Sequence, residues 1–388
     1  MTLLHPLATS SWDQAEYGAL NRVIKSNQFS MGPEVRAFEE QFARQFGSKY
    51  AVMVNSGSSA NLLIMASLRY TPNDKLNIPE GAEIIVPAVS WSTTYYPLQQ
   101  YGLQLKFVDI DLNTLNYDLE ALKNAVTDQT RAIMVVNLLG NPNNFDVINN
   151  IIDGRQIVMI EDNCESMGAT FNGKEAGTFG IAGSYSGFFS HHISTMEGGI
   201  CVTDEEELYH VMLAIRAHGW TRNLPKFNKL TGEKSDDLFE ESFRFVLPGY
   251  NLRPLEMSGA LGREQLKKLP NLIQGRRNNG ILLQQKLNDH SRFMIQQEIG
   301  RSSWFGFSLV LRNSSAGTRQ QFVKELVESG FEVRPIVTGN FAKNEVMKYF
   351  KYTIHDKLEN ANYIDKYGLF VGNHHYDIGT TIDALASL

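Results

Sequence analysis

The first fifty residues repeat apolar side chains at helical spacing and predict two amphipathic helices. Ser11 and Gln14 have the spacing of a capping box at the start of the first helix, which ends at the polar turn SNQFSMG. Gly47 stands where the second helix ends, at a position that often needs a positive φ. The apolar positions of the two helices are Leu20, Val23 and Ile24, followed by Val35, Phe38, Phe42 and Phe46.

From Tyr50 onwards the pattern changes to short apolar runs that are separated by helical stretches. Runs of this kind predict a buried, largely parallel sheet in an α/β fold. Ligands of open α/β sheets bind beyond the carboxyl ends of the strands, so we expect the functional site at that edge. The runs are YAVMV, EIIVP, LKFVDI, AIMVVNLLG and QIVMIED, and their polar ends are Asn55, Pro87, Asp109, Asn137 and Asp162.

The chain of 388 residues is long enough for two domains. We expect an N-terminal arm and a large domain over residues 1–265. Beyond residue 265 a long amphipathic helix and the isolated runs WFGFSLVL and FEVRPIV predict a smaller α+β domain over residues 266–388. Within the large domain, the polar and lysine-rich segment 223–237 is typical of a solvated loop, which could also reach over a neighbouring subunit.

Composition and charge exclude several classes of function. The formal net charge is −6 and the Lys and Arg residues are scattered, so we expect no nucleic-acid partner. No apolar run approaches the roughly 20 residues of a membrane-spanning helix, and the first residues lack a secretory signal pattern. Cys164 and Cys201 provide neither a disulfide framework nor a metal-binding pattern. The sequence therefore predicts a soluble cytoplasmic protein without a metal site.

Two polar motifs follow predicted strands. In NSGSSANLL, Gly57, Ser58 and Ser59 precede a helix, where free N–H groups and small hydroxyls can bind a phosphate. An ordinary capped turn would have the same sequence. In EDNCESMGA, Glu161 and Asp162 end a buried strand, and a carboxylate there can pair with the protonated ring nitrogen of a pyridinium cofactor. A helix N-cap is the alternative for Asp162.

Aromatic and histidine residues mark two further strand ends. Trp91, in VPAVSWSTTYY, is suited to lie flat on a cofactor ring, and a core tryptophan is the alternative. His191 and His192 follow an aromatic run and precede the glycine-rich turn MEGG. Histidine titrates near neutral pH, so one of the pair could transfer protons in a reaction.

In order and spacing, these motifs resemble the sugar aminotransferases of the fold-type I pyridoxal phosphate superfamily, which make unusual sugars of lipopolysaccharide and antibiotics. The resemblance covers essentially the whole chain. The family motif is a serine, four residues, a lysine and a glycine-rich turn, and it matches Ser186, His191 and residues 196–199 here. The resemblance implies an aspartate aminotransferase-like α/β fold, in which helices flank the mixed, mostly parallel sheet of the large domain.

The chain departs from this family at the residue that decides the chemistry. His191 stands where the family has its Schiff-base lysine, and no lysine occurs between Lys174 and Lys226. An imidazole cannot form that Schiff base, so the cofactor would be held non-covalently, which suits pyridoxamine 5′-phosphate. Within the family, this substitution is typical of the enzymes that remove the 3-hydroxyl group of GDP-4-keto-6-deoxymannose in O-antigen synthesis.

The resemblance also implies roles for residues around the cofactor ring. Asp162 would pair with the pyridine nitrogen and Trp91 would stack on the ring, while Glu165 would lie near the ring hydroxyl. His218 resembles a second histidine near the substrate.

The cofactor phosphate would be bound from two subunits. Gly57, Ser58 and Ser186 match the family residues that hold it within one subunit. Asn251, in GYNLRP, matches a residue that reaches the phosphate of the neighbouring subunit. The resemblance therefore implies a homodimer with shared active sites.

The reaction implied by the resemblance has two parts. Glutamate first converts bound pyridoxal 5′-phosphate into pyridoxamine 5′-phosphate, and 2-oxoglutarate leaves. The amine then condenses with the sugar 4-ketone, His191 removes a proton from the cofactor, and the 3-hydroxyl group leaves. Hydrolysis would release the 3-deoxy sugar and ammonia.

Two other functions stay open on the sequence alone. Because a histidine can move a proton in either direction, the chain could be an aminotransferase acting on a keto or aldehyde sugar of lipopolysaccharide. A nucleotide-free octulosonate, which would give 8-amino-3,8-dideoxy-octulosonate, is one such substrate. The other function is that of a non-catalytic relative which binds the cofactor or a regulatory partner. His374 and His375 lie where the family closes its substrate pocket, or else on the surface.

Overall fold

The computed structural model describes residues 5–312 and 318–388. Within these ranges the fold contains a large sheet, a small sheet and two short hairpins. The strands are β1 (Tyr50–Val54), β2 (Glu83–Pro87), β3 (Gln104–Val108), β4 (Thr130–Val136), β5 (Val158–Asp162), β6 (Thr170–Phe171), β7 (Lys174–Glu175), β8 (Ala182–Ser186), β9 (Gly199–Thr203), β10 (Phe227–Asn228), β11 (Gly232–Glu233), β12 (Phe293–Met294), β13 (Gly306–Leu311), β14 (Val333–Arg334), β15 (Tyr352–Ile354) and β16 (Gly368–Gly372).

The helices flank and connect these strands. The α-helices are α1 (Gln14–Ser26), α2 (Pro33–Phe46), α3 (Gly57–Tyr70), α4 (Ser92–Gln100), α5 (Leu119–Ala125), α6 (Phe145–Ile152), α7 (Glu206–Arg216), α8 (Leu238–Glu241), α9 (Glu256–Leu287), α10 (Arg319–Glu328), α11 (Glu359–Tyr367) and α12 (Gly379–Ala386). Short 3₁₀-helices occupy Leu138–Gly140, Phe341–Lys343 and Glu345–Tyr349.

The large sheet has eight strands in the order β1-β9-β8-β5-β4-β2-β3-β15. The strands from β8 to β15 pair in parallel, and β9 runs antiparallel to β1 and β8. Successive residues of one strand pack on opposite faces, since Ile84 and Val86 belong to one apolar core and Ile85 to another. Both faces are covered, which explains the continuous apolar runs and confirms the predicted α/β class.

The strand directions define where a site can form. Because β9 alone runs the other way, the carboxyl ends of β1, β2, β4, β5 and β8 lie at one edge of the sheet. The start of β9 lies at the same edge, and a Cβ on Gly199 would come within 2.0 Å of the carbonyl oxygen of Ser56. This close approach holds the turn after β1 against the glycine-rich turn that precedes β9.

The first helix is present, but the prediction of its cap was wrong. The carboxylate of Asp13 accepts a hydrogen bond from the N–H of Ala15, and Glu16 accepts one from the N–H of Asp13. Ser11 instead donates to Oε1 of Gln265 on α9 (2.7 Å). Both pairs have the three-residue spacing of a capping box, so spacing alone could not separate them.

The C-terminal third, residues 266–388, is more closely connected to the large sheet than the sequence predicted. α9 runs unbroken through the predicted boundary at 265/266, and β15 adds to the large sheet beside β3. The antiparallel small sheet has the order β12-β13-β16-β14. The run WFGFSLVL forms β13, whereas FEVRPIV forms only the two residues of β14, because a proline follows them. The division into 1–265 and 266–388 stays a prediction.

The segment 223–237 is more ordered than the loop that was predicted. It contains the hairpin of β10 and β11, and α8 follows it directly. Several aromatic side chains on and after it are exposed, namely Phe227, Phe239, Phe243 and Phe245. Among the described residues, no helix has the length and apolar character needed to cross a membrane.

A buried ion pair joins α2 to α7. Nη1 of Arg216 donates to the carboxylate of Glu39 and to the carbonyl oxygen of Met53 (2.8 Å). We expect Arg216→Met to lower the free energy of unfolding by about 3–5 kcal/mol, because Glu39 would remain as an uncompensated buried charge. Urea unfolding measures this change. Arg22→Met breaks the exposed pair with Glu264 and should cost less than about 1 kcal/mol. Equal losses in the two variants would contradict the prediction.

Candidate active site

A cavity of about 700 Å³ lies at the carboxyl edge of the large sheet. This volume is typical of a small-molecule site. The N-terminal arm closes the cavity with Leu7 and Ala8, and the C-terminal third contributes Phe305, Glu332 and Arg334. Seven of the predicted site residues line it together: Gly57, Ser58, Trp91, Asp162, Glu165, Ser186 and His191.

One end of the cavity is built by the start of α3 and the end of β8. Ser56 caps α3 by accepting a hydrogen bond from the N–H of Ser59 (3.1 Å), and the N–H groups of Gly57 and Ser58, at the start of the helix, have no intrahelical acceptor. A Cβ on Gly57 would lie 2.8 Å from Cβ of Ser186 and fill this corner. The capped turn that was the alternative is therefore present, and the free N–H groups beside it suit a phosphate.

Asp162 lies at the end of β5 with both carboxylate oxygens engaged. Oδ2 accepts hydrogen bonds from Nδ2 of Asn61 (2.8 Å) and Oγ1 of Thr94 (2.7 Å), and Oδ1 accepts one from the N–H of Cys164 (3.2 Å). Donors on both oxygens therefore hold the carboxylate in one orientation. No helix follows β5 directly, so the alternative that Asp162 is a helix N-cap is wrong.

Trp91 and Glu165 lie on different walls of the cavity. Trp91 precedes α4 and is 55 % exposed, so the alternative of a core tryptophan is wrong. Its open ring face is available for stacking. Glu165 accepts a hydrogen bond from the N–H of Leu139 (3.0 Å), and burial raises the pKa of its carboxyl group to about 7. Near neutral pH this group can therefore hold or release a proton.

The imidazole of His191 is held in one orientation at the cavity. Its Nδ1 lies 2.7 Å from the carbonyl oxygen of Cys164. A carbonyl oxygen only accepts, so Nδ1 carries the hydrogen and Nε2 keeps the free electron pair. The ring of Phe305 packs 5.0 Å from the imidazole. Burial lowers the pKa of His191 to about 4, and the ring is therefore neutral at neutral pH.

His192 does not share this position. Its buried ring donates from Nε2 to the carbonyl oxygen of Ser303 (3.1 Å), and it is not among the residues that line the cavity. His374, at 1 % exposure, is likewise a buried residue and not a surface one. Of His191 and His192, only His191 lines the cavity.

Asn251 and His218 lie outside the cavity lining in the described subunit. Ala217 and Asn251 form a β-bridge, and the N–H of His218 donates to the carbonyl oxygen of Tyr250 (2.7 Å). His218 has a positive φ of 63°, which places it at a tight turn after α7. Their predicted roles stay predictions, and the role predicted for Asn251 is at the site of a second subunit.

Sequence reasoning missed several residues of the site. Asn61 and Thr94 fix Asp162, while Glu332 accepts hydrogen bonds from the N–H of Leu7 (3.1 Å) and from Arg334 (2.7 Å) at the cavity wall. Asn61 was detectable, because it is a polar residue on the buried apolar face of α3. Within residues 5–312 and 318–388, no cluster of His, Cys, Asp and Glu side chains is arranged to bind a metal ion.

Residues 10–375 match the model of the DegT/DnrJ/EryC1/StrS aminotransferase family. A GDP-4-keto-6-deoxy-D-mannose 3-dehydratase of Escherichia coli O55:H7 is 64 % identical over 382 residues, which is 98 % of each chain. A protein of the same name from Yersinia pseudotuberculosis is 60 % identical over 384 residues, covering 99 % of this chain and 97 % of that one.

Solved structures of proteins with this name superpose closely on the chain. The Escherichia coli GDP-4-keto-6-deoxy-D-mannose-3-dehydratase with bound hydrated pyridoxal phosphate superposes with a TM-score of 0.98 at 62 % identity, over 100 % of this chain and 99 % of that one. A structure of GDP-4-keto-6-deoxymannose-3-dehydratase with a trapped pyridoxal phosphate–glutamate geminal diamine gives a TM-score of 0.97 at 63 % identity, over 99 % of both chains.

Proposed function

The chain belongs to the DegT/DnrJ/EryC1/StrS aminotransferase family, and from this premise we propose that it is a pyridoxamine 5′-phosphate-dependent 3-dehydratase of GDP-4-keto-6-deoxymannose. The observation that carries the proposal is His191. It replaces the lysine that the family motif predicts, and its Nε2 is free at the cavity of a chain that is 64 % identical to such an enzyme.

The residues of the cavity fit the cofactor. The corner beside Gly57, which a Cβ would fill, together with Ser58 and Ser186 would hold the phosphate. Asp162 would hold the proton of the ring nitrogen, and Trp91 would cover the ring face. When bound, the cofactor supplies an amine for the sugar ketone and an electron-withdrawing ring. Pyridoxal 5′-phosphate with glutamate as the amine donor would regenerate that amine.

His191 performs the proton transfers in this proposal. Its neutral ring accepts a proton at Nε2, while Nδ1–H stays bonded to the carbonyl oxygen of Cys164 and keeps the ring in place. The same Nε2 then donates its proton to the departing 3-hydroxyl group, which leaves as water. A lysine here would favour return of the proton to carbon and an amino-sugar product.

The walls around His191 exclude water and offer a second titrating group. Phe188 and Phe305 pack against the imidazole, at ring distances of 6.1 Å and 5.0 Å. Glu165 lies at the same cavity and has its pKa raised to about 7 by burial, so it can hold a proton near the ring hydroxyl of the cofactor. These neighbours would keep the transferred proton between His191 and the substrate.

We propose a homodimer in which Asn251 and His218 complete the site of the partner. Both lie outside the cavity of their own subunit, and an exposed apolar surface lies between them along the chain. That surface consists of Phe227, Phe239, Phe243 and Phe245, and exposed apolar patches of this kind mark association surfaces. A cytoplasmic location fits the two free thiols, Cys164 and Cys201.

Hybrid dimers test this sharing of residues. A purified dimer of one Asn251→Ala subunit and one His191→Asn subunit should retain about half of the wild-type activity, because one of its two sites has both wild-type residues. Each homodimeric variant should be strongly impaired. If Asn251 served its own subunit, neither site of the hybrid would be intact and no activity would return.

The amine donor is tested by the first half of the reaction. Protein with pyridoxal 5′-phosphate should consume glutamate and release 2-oxoglutarate in an amount equal to the bound cofactor, with loss of the aldehyde absorption band. Protein without the cofactor is the control. Formation of no 2-oxoglutarate would overturn glutamate as the donor while leaving the fold and the site intact.

A further inference from the structure

A buried arginine lies behind the proposed base without an acidic partner. Arg276, on α9, donates from Nη1 to the carbonyl oxygens of Phe305 (3.0 Å) and Asn373 (2.8 Å). It forms no ion pair with any carboxylate of the described residues, and its Nε has no partner there. Burial lowers the pKa of its guanidinium only to about 10, so the positive charge is kept at neutral pH.

The position of this charge connects it to the catalytic histidine. The ring of Phe305, whose carbonyl oxygen accepts from Arg276, packs against His191 and, at 5.9 Å, against His192. Arg276 and His191 are therefore neighbours, with Phe305 between them. An unpaired cation in a protein interior is costly, and an apolar side chain would pack there without that cost.

Charged groups face His191 from two sides. Arg276 on α9 opposes a second positive charge on the imidazole, whereas Asp162 after β5 favours one. Glu165 lies at the same cavity and His192 is adjacent in the chain, its own pKa held well below the usual value by burial. Burial is the largest cause and lowers the pKa of His191, the hydrogen bond to the carbonyl oxygen of Cys164 and the charge of Asp162 raise it, and the charge of Arg276 adds to the effect of burial.

We propose that Arg276 is a positioning residue of the reaction, whose buried charge adds to burial in keeping His191 neutral before proton transfer and drives the proton from the imidazolium to the departing hydroxyl group. The charge therefore serves both directions of transfer. It leaves Nε2 free to accept, and it destabilises the protonated ring until the proton has been returned to oxygen. This inference rests on the proposed function, in which His191 is the base.

A purely structural role for Arg276 predicts different behaviour. Asn373 donates to the carbonyl oxygens of Arg276 and Trp304 (3.0 and 2.9 Å), so the helix is tied to the turn after β16 without the guanidinium charge. If the guanidinium served only to strengthen this connection through its bond to the carbonyl oxygen of Asn373, its loss would lower stability or turnover equally at every pH. The pH dependence separates the two roles.

The pH profile of kcat/KM is the first test. Arg276→Met should move the acid limb upward by about one pH unit, whereas Arg276→Lys, which keeps the charge, should leave it near the wild-type position. Arg277→Met is the matched control, because Arg277 is the next residue on α9 and also donates to carbonyl oxygens, those of Ser302 and Gly168. An acid limb that is unchanged in Arg276→Met would overturn the proposal.

A titration that needs no turnover is the second test. NMR signals of His191, assigned through His191→Asn in the cofactor-free protein, should show no protonation between pH 5.5 and 8 in the wild type or in Arg276→Lys, given that burial and Arg276 hold its pKa near 4. Titration of the wild-type signal near the ordinary histidine pKa would contradict the role of Arg276, even if Arg276→Met fails to fold. If the His191 signal behaves as expected in this titration but the protein does not dehydrate the sugar, only the proposed function would be contradicted.

Discussion

Replacing His191 with asparagine is expected to lower the rate of 3-deoxy sugar formation by about 10²–10⁴-fold, because asparagine cannot accept the proton that Nε2 receives. Asparagine is polar like histidine, so the variant should fold as the wild type does. The measurement is single-turnover formation of the deoxy sugar with excess enzyme loaded with pyridoxamine 5′-phosphate. Single-turnover conditions separate the proton transfer from release of the product.

The control for this prediction is His192→Asn. His192 is the adjacent histidine, but it is buried and bonded to the carbonyl oxygen of Ser303 outside the cavity lining. The His192→Asn variant should show a lower free energy of unfolding but a turnover rate close to that of the wild type. His191→Lys should also lose dehydration, since it restores the family lysine. If a His191→Lys variant dehydrated its substrate at the wild-type rate, the assignment of His191 as the specific base would be wrong.

Replacing Asp162 with asparagine should lower turnover by about 10²–10³-fold, the usual cost of removing one preorganised electrostatic partner. An amide cannot stabilise the protonated ring nitrogen as a carboxylate does, so the ring would withdraw fewer electrons. The bonds from Asn61 and Thr94 to Asp162 would also have to be rearranged. Steady-state kinetics at saturating cofactor measures this loss as a change in kcat.

Glu161 provides the matched control on the same strand. Its side chain points to the opposite face from that of Asp162 and accepts hydrogen bonds from the N–H groups of Gly177 (2.6 Å) and Gly180 (2.7 Å). Glu161→Gln should therefore lower the thermal midpoint of unfolding and leave the cofactor spectrum unchanged. An Asp162→Asn variant with wild-type kcat would contradict the proposed pairing with the ring.

The parts of the fold that follow from local pattern were predictable. Runs of apolar residues predicted β1 to β5 because both faces of the sheet are buried, and the polar strand ends predicted the edge where the cavity lies. The start of α3 was predictable for the same reason, since a glycine between two serines after a strand is a local signal.

The parts that depend on distant contacts were not predictable. Asn61 is detectable as a polar residue on the apolar face of α3, but the contacts that Asn61 and Thr94 make with Asp162, across 101 and 68 residues of sequence, are not. Arg276 is one of many basic residues in the sequence, and only packing shows that it is buried without an acid. The predicted boundary at 265/266 lies within α9, and the helical periodicity of the sequence continues through it.

Mass spectrometry of the sugar product tests the central claim most directly. Purified protein is incubated with pyridoxal 5′-phosphate, glutamate and GDP-4-keto-6-deoxymannose, and ammonia is assayed in parallel. The account predicts a product in which hydrogen replaces the 3-hydroxyl group, with ammonia released in equal amount. A product that retains an amine would identify an aminotransferase and contradict the proposed dehydration, and an unchanged sugar would contradict the proposed substrate.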